Sequence, residues 1–212
     1  MEIVNPLAQH YAEAFTTPDD ALLQEVAEYT VQHHAKSHML SGHLQGKFLE
    51  MISCMIRPQY ILEIGTFTGY SALCLAKGLE KTGELHTIEV REDDAAVAQG
   101  FIKRSAFSEQ IKIHIGDAQQ ILDELDYPWD LVFIDADKIS YTTYFNRVLP
   151  KMKPGGFILA DNVLFHGEVL APEIKGKNPK AIQAFNEHVM QRTDVEKVLL
   201  PLRDGLYLIR KL

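Results

Sequence analysis

The sequence predicts an α/β fold: an open, mostly parallel sheet with helices on both faces and an antiparallel pair of strands at its C-terminal end. Three observations lead there. From Pro58 onward, near-continuous apolar runs alternate with amphipathic segments, as expected for strands buried on both faces and separated by crossover helices. Acidic, amide and glycine residues cluster at the ends of those runs, where an open α/β sheet binds its ligands. The last two runs are joined across Pro201-Leu202-Arg203-Asp204-Gly205, and Asp-Gly is a hairpin signal.

Residues 1–57 read as helical. Thr17-Pro18-Asp19-Asp20 offers an N-cap, a proline at the first helical position and acids in the first turn. Leu22, Leu23, Val26, Tyr29 and Thr30 follow at helical spacing. A second helix is expected over 44–55, stopped by Arg57-Pro58. Seven strands are then expected, at 60–64, 85–90, 111–115, 131–135, 157–160, 195–200 and 206–210. Helices are expected between them at 70–79, 92–106, 118–125, 141–152 and 180–191. The chain of 212 residues reads as one domain, with the N-terminal helices of 1–57 added to an α/β core over 58–212.

Composition narrows the function classes. A formal net charge of −8 argues against nucleic acid or an anionic membrane surface as the main partner. No stretch approaches 18 apolar residues, and Met1-Glu2-Ile3-Val4-Asn5-Pro6 lacks the basic start and apolar run of a signal peptide, so a cytoplasmic location is expected. Cys54 and Cys74 both lie in apolar, helix-like segments and read as buried, inert thiols of a reducing compartment.

The first three strand ends describe a ligand. Ile64-Gly65-Thr66-Phe67-Thr68-Gly69 is a tight turn into a helix; it lacks the glycine spacing of a dinucleotide site and the Gly-Lys-Ser/Thr of a phosphate loop. Glu63, in the same turn, would repel a pyrophosphate and suits a cationic group such as an ammonium. Glu89 ends the second strand, where an acid takes ribose hydroxyls. Gly116-Asp117-Ala118 ends the third; Asp117 either frames a base or caps the next helix. Together these ends suit a positively charged adenosine derivative.

A second crevice is expected where Phe133-Ile134-Asp135-Ala136-Asp137-Lys138 meets Leu159-Ala160-Asp161-Asn162, 26 positions further along. That spacing fits neighbouring parallel strands joined by one helix, which would bring Asp135, Asp161 and Asn162 to one sheet edge. Two carboxylates and an amide oxygen, without thiolate or imidazole, favour magnesium, calcium or manganese. A bound cation would lower the pKa of a coordinated hydroxyl. It would also depress that of Lys138, fitting the lysine for general-base work. His34 and His38 have metal-ligand spacing on a helix but no third partner, so a zinc site is not expected there. His166 is a candidate pocket residue.

These residues resemble the cation-dependent S-adenosylmethionine O-methyltransferases, the group of the catechol and caffeoyl-CoA enzymes. The carriers are Met39-Leu40-Ser41-Gly42-His43-Leu44-Gln45-Gly46, the Glu63 to Ser71 turn, Asp135-Ala136-Asp137-Lys138 and Asp161-Asn162-Val163-Leu164. The resemblance implies the Rossmann-like class I methyltransferase fold. It implies cofactor contacts from Met39, Ser41, Glu63, Gly65, Thr66, Ser71, Glu89, Ala118, Asp135 and Asp137. Asp135, Asp161 and Asn162 would ligate the cation and Lys138 would act as base, with Asp135 catalytic through both cation and cofactor. S-adenosylhomocysteine would be the product, a small aromatic diol the acceptor, and a homodimer the assembly. Phe165 stands where plant members usually carry tryptophan, His166 also differs, and the segment before His38 matches poorly. All three differences fall on acceptor recognition. Rival readings are a methyltransferase acting on another acceptor such as a tRNA base, disfavoured by the missing basic stripe, and a non-catalytic cofactor-binding protein, which would not need Lys138 and the oxygen triad.

Overall fold

The computed structural model describes residues 3–212, so Met1 and Glu2 of the N-terminal stretch lie outside it. Three helices come first: α1 (Pro6–Ala14), α2 (Ala21–His33) and α3 (His43–Ile56). The alternating core follows as β1 (Tyr60–Ile64), α4 (Tyr70–Ala76), β2 (Glu84–Glu89), α5 (Glu92–Ile102), β3 (Ile111–Ile115), α6 (Ala118–Glu124), β4 (Trp129–Ile134), α7 (Tyr141–Val148) and β5 (Met152–Asp161). It ends with α8 (Lys177–Gln191), β6 (Val195–Leu200) and β7 (Leu206–Lys211). All seven strands join one sheet in the order β3-β2-β1-β4-β5-β7-β6. The first five run parallel, and β7 lies antiparallel to both β5 and β6. The chain reverses its direction of travel across the sheet between β1 and β4, the switch point at which such sheets open a crevice.

The period-2 alternation of the strands divides the core in two. Leu62, Val132, Ile134 and Ile158 pack beneath α6, α7 and α8 with Tyr141, Phe145 and Phe185. Ile61, Leu131, Phe133 and Leu159 face the other way, against α2 to α5, with Leu23, Leu49, Leu75 and Ile102. Both faces are apolar because both are covered, which is why the strands read as continuous apolar runs. Among the described residues no helix is long and apolar enough to cross a membrane.

Several expectations are corrected. The cap of α2 is Asp20, whose carboxylate accepts from the Leu23 amide at 3.0 Å, rather than Thr17. Asp19 is drawn away into tertiary contacts, taking the Tyr70 hydroxyl at 2.6 Å and facing His43 Nδ1 at 3.1 Å. The strand expected at 157–160 begins at Met152, because the chain runs through Pro154-Gly155-Gly156 in a shifted register that pairs Met152 with Trp129. Cys54 is exposed on α3, whereas Cys74 is buried as expected. His34 caps α2 in extended backbone and His38 lies in the 3₁₀ turn Ser37–Met39, so the two never share a helix. Instead His34 Nε2 meets Asp94 at 3.1 Å.

Candidate active site

The C-terminal ends of β1 to β5 and the segment around Met39 line an open cavity of about 860 Å³. Its floor is set by one backbone contact. Gly65 has φ +105°, and a Cβ placed on it would lie 2.0 Å from the carbonyl oxygen of Asp135. The β1–α4 turn therefore sits directly against the end of β4, and only glycine fits there. The Asp135 amide continues the pairing, donating to the Ile64 carbonyl at 2.9 Å.

Around that contact lie the residues expected at a cofactor. Met39, Ser41, Gly65, Thr66, Ser71, Glu89, Ala118, Asp135 and Asp137 all border the cavity. Glu63 does not; it is fully buried behind the turn, where its Oε2 accepts from the Thr87 hydroxyl at 2.5 Å. Burial pushes its carboxyl up to about 8, against the pull of the Ser71 and Thr87 hydroxyls. Its Oε1 has no hydrogen-bond partner, an orphaned acceptor of the kind that suits a cationic ligand group. Glu89 accepts from the Phe67 amide at 2.7 Å through Oε2, and from the amide and Nε of Arg91 at 3.0 and 3.2 Å through Oε1. With about four lone-pair sites on a carboxylate, it keeps capacity for a hydroxyl. Asp117 takes the capping role, accepting from the Gln119 amide at 2.7 Å while also bordering the cavity. Asp137 caps the 3₁₀ turn Lys138–Ser140 and accepts from the Tyr144 hydroxyl.

The second crevice is assembled as the strand spacing implied, since β4 and β5 are parallel neighbours. Asn162, the first residue past β5, has φ +57°, a conformation asparagine tolerates better than most residues. Lys138 Nζ donates to Asp135 Oδ1 at 2.9 Å, to Asn162 Oδ1 at 2.8 Å and to the Tyr141 hydroxyl at 2.6 Å. Its ammonium is thus a stand-in cation gathered by two of the three expected oxygens, so the donor set fits a hard cation. Asp161 is buried, and desolvation, reinforced by the nearby Asp135 charge, raises its carboxyl above the ordinary range despite Lys138. A depressed Lys138 pKa is expected beside a bound dication; among the side chains alone the shift runs upward. Burial works against the ammonium, but the carboxylates of Asp135 and Asp161 and the Tyr141 oxygen outweigh it and push the lysine up. All three ammonium protons are used in this arrangement.

Three residues near this crevice were given no individual role by the sequence reading. Tyr141 is wholly buried; it accepts from Lys138 and donates to the Asp161 carbonyl at 2.9 Å. It passes for a core aromatic, although its position three residues after Lys138 was a usable signal. Gln45 donates to Asp161, and Arg203 reaches back across the crevice to Gln45. Gln45 could have been noticed as the one amide on the buried stripe of α3, among Gly46, Leu49 and Ser53. Nothing local marks Arg203, whose partners are about 160 residues away in the chain. His166 borders the cavity with its side chain largely in solvent.

Known proteins match this chain over most of its length. An O-methyltransferase family profile matches residues 12–212. A catechol O-methyltransferase of Niastella koreensis is 38% identical over 162 residues, covering 74% of this chain and 73% of that protein. A catechol O-methyltransferase domain-containing protein of Mus musculus is 32% identical over 213 residues, covering 98% and 80%. Among solved structures, an O-methyltransferase of Bacillus cereus in complex with S-adenosylhomocysteine superposes with a TM-score of 0.89 at 29% identity, covering 97% of both chains.

Proposed function

Because the chain belongs to the O-methyltransferase family and is an S-adenosylmethionine-dependent enzyme of the catechol and caffeoyl-CoA type, we propose that its acceptor is a small aromatic vicinal diol held by a divalent cation, magnesium by preference, with calcium or manganese able to substitute. The observation that carries this reading is the capture of the Lys138 ammonium by Asp135 and Asn162 beside the buried Asp161. Two hard oxygens that already collect a cation, with a buried carboxylate beside them, suit an oxygen-preferring metal.

When bound, the cofactor supplies an electrophilic methyl group and the cation lowers the pKa of a coordinated hydroxyl. The remaining work falls to the chain itself. Asp135, Asp161 and Asn162 would hold the cation, and Asp135 borders both halves of the cavity. Glu89 would take the ribose, Glu63 would balance the positive charge of the cofactor from behind the turn, and Met39, Ser41, Thr66, Ser71, Ala118 and Asp137 would complete its walls. Holding both partners in line supplies much of the acceleration. Lys138, displaced from Asp135 and Asn162 by the cation and made neutral by loss of a proton to solvent, would be the amine to take the acceptor proton.

The test is turnover of catechol with and without chelator. The wild-type protein should lose activity in chelator and regain it with magnesium. Asp161→Ala should reduce metal-stimulated turnover about 100-fold or more, on the scale of a lost ligand or its support. Its affinity for S-adenosylhomocysteine should stay within about threefold. Wild-type turnover at full rate in chelator would exclude the cation from the reaction.

A further inference from the structure

Behind the wall of the cation crevice, Gln45 stands on the buried face of α3 with 1% of its surface exposed. Its Nε2 donates to Asp161 Oδ2 at 2.7 Å, while Asp161 Oδ1 accepts from the Asn162 amide at 2.8 Å. Each carboxylate oxygen therefore holds one N–H, and the carboxylate cannot turn without losing one or both. The orientation of the Gln45 amide is itself fixed, because its Oε1 accepts from an Arg203 guanidinium nitrogen at 3.2 Å. Turned over, the amide would set oxygen against carboxylate and NH₂ against guanidinium.

Arg203 is in turn anchored. It donates to the Ser41 carbonyl and, at 3.1 Å, to the Leu40 carbonyl. It does so from a left-handed backbone, φ +49°, a conformation uncommon for a non-glycine residue. Two residues on, a Cβ at Gly205 would lie 2.5 Å from Leu164. The β6–β7 connection is thus pressed against the loop that follows Asn162.

We infer that Gln45 is a positioning residue that orients Asp161 for a divalent cation, and that Arg203 acts by holding Gln45 in that orientation. This rests on the reading of Asp135, Asp161 and Asn162 as cation ligands. Groups that hydrogen-bond a metal ligand from behind typically change metal affinity by about 10- to 100-fold. Arg203 makes the inference discriminating, because its two possible effects have opposite signs. As a positive charge near Asp161 it would repel a cation, so its removal would tighten binding; as the anchor of Gln45 its removal weakens binding.

The experiment is a titration of the full chain with Mn²⁺ alone, followed by the paramagnetic resonance of the free ion. S-adenosylhomocysteine affinity and the metal-free thermal midpoint serve as controls. Gln45→Met should weaken Mn²⁺ binding about tenfold or more and leave nucleoside affinity within about twofold. Arg203→Met should weaken Mn²⁺ binding less, and should add nothing in the Gln45→Met background. Equal Mn²⁺ affinity in wild type and Gln45→Met, or tighter binding in Arg203→Met, overturns the inference. Failure of the wild type to bind Mn²⁺ overturns the cation reading as well, and so differs from failure of the inference alone. If Gln45→Met does not fold, Arg203→Met, at a half-buried position, carries the sign of the effect by itself.

Discussion

The half of the cavity assigned to the cofactor and the half assigned to the acceptor are held together by different means. On the cofactor side, β1 and β4 meet backbone to backbone at Gly65 and Asp135, and Glu63, Thr66 and Thr87 form a buried polar chain within the sheet. On the acceptor side, the chain leaves β5 through left-handed backbone at Asn162, Phe165 and His166. That loop is held from the β6–β7 hairpin, where Asp204 takes the His166 amide at 2.5 Å and the Leu164 amide at 2.9 Å. Strained, exposed segments carried on a rigid sheet are where specificity is varied. The cofactor half follows from what the sheet permits, and the acceptor half from what two loops agree on.

The comparison breaks first at Gly65. Replacement by alanine puts a Cβ into a backbone carbonyl at 2.0 Å and keeps φ at +105°, and neither β1 nor β4 can yield without disturbing the sheet. Gly65→Ala should cost on the order of 4 kcal/mol or more, among the largest effects of a single substitution, and should abolish binding of S-adenosylhomocysteine. Urea denaturation and calorimetry read both. A folded variant with wild-type nucleoside affinity would show that the β1–β4 contact is not what shapes the site.

How much of each half could be read from the sequence follows the same division. Strand ends announce themselves when an apolar run stops at an acid, so Glu63, Glu89, Asp135 and Asp161 all fall within a residue of a strand end in the structure. The β4–β5 pairing needed only a spacing. Boundaries fared worse where local signals compete: Pro154-Gly155-Gly156 reads as a breaker, yet β5 runs through it. Thr17-Pro18 reads as a helix start, yet Asp20 makes the cap. The sign of the Lys138 pKa shift depends on which cation occupies the oxygens, and the lysine itself fills that place here. Gln45 and Arg203 gain their roles through contacts 116 and 158 residues apart in the chain, which local patterning does not pair.

A second, smaller effect probes the buried acid of the cofactor half. The Glu63 carboxyl is raised from 4.5 to about 8 by burial, so the folded chain binds the proton more tightly than the unfolded chain does. Its contribution to stability is then fully present below about pH 4.5 and lost as pH rises through 8. In ligand-free protein, that loss should be on the order of a few kcal/mol. It should be absent in Glu63→Gln, which keeps the shape and stays neutral. Urea midpoints between pH 5 and 9 test this: parallel curves for the two proteins would mean that Glu63 is already ionised in the fold and that its orphaned oxygen is satisfied in some other way.

The smallest expected effect lies on the acceptor side, and it discriminates between the halves better than the larger ones. Asp204→Ala removes the acceptor that holds the His166 amide, while the Leu164 amide still reaches the backbone oxygen of residue 204. Loss of one charge-assisted bond at a partly exposed site should cost about 1–2 kcal/mol in stability. The left-handed backbone at Phe165 and His166 then has less to hold it, and the loop should sample other conformations. Acceptor KM should therefore rise several-fold, with S-adenosylhomocysteine affinity and Mn²⁺ affinity within about twofold of wild type. Steady-state kinetics on catechol, together with the two titrations, separate these quantities. A parallel fall in nucleoside affinity would mean that the hairpin supports the whole cavity, and the division between a sheet-built half and a loop-built half would have to be given up.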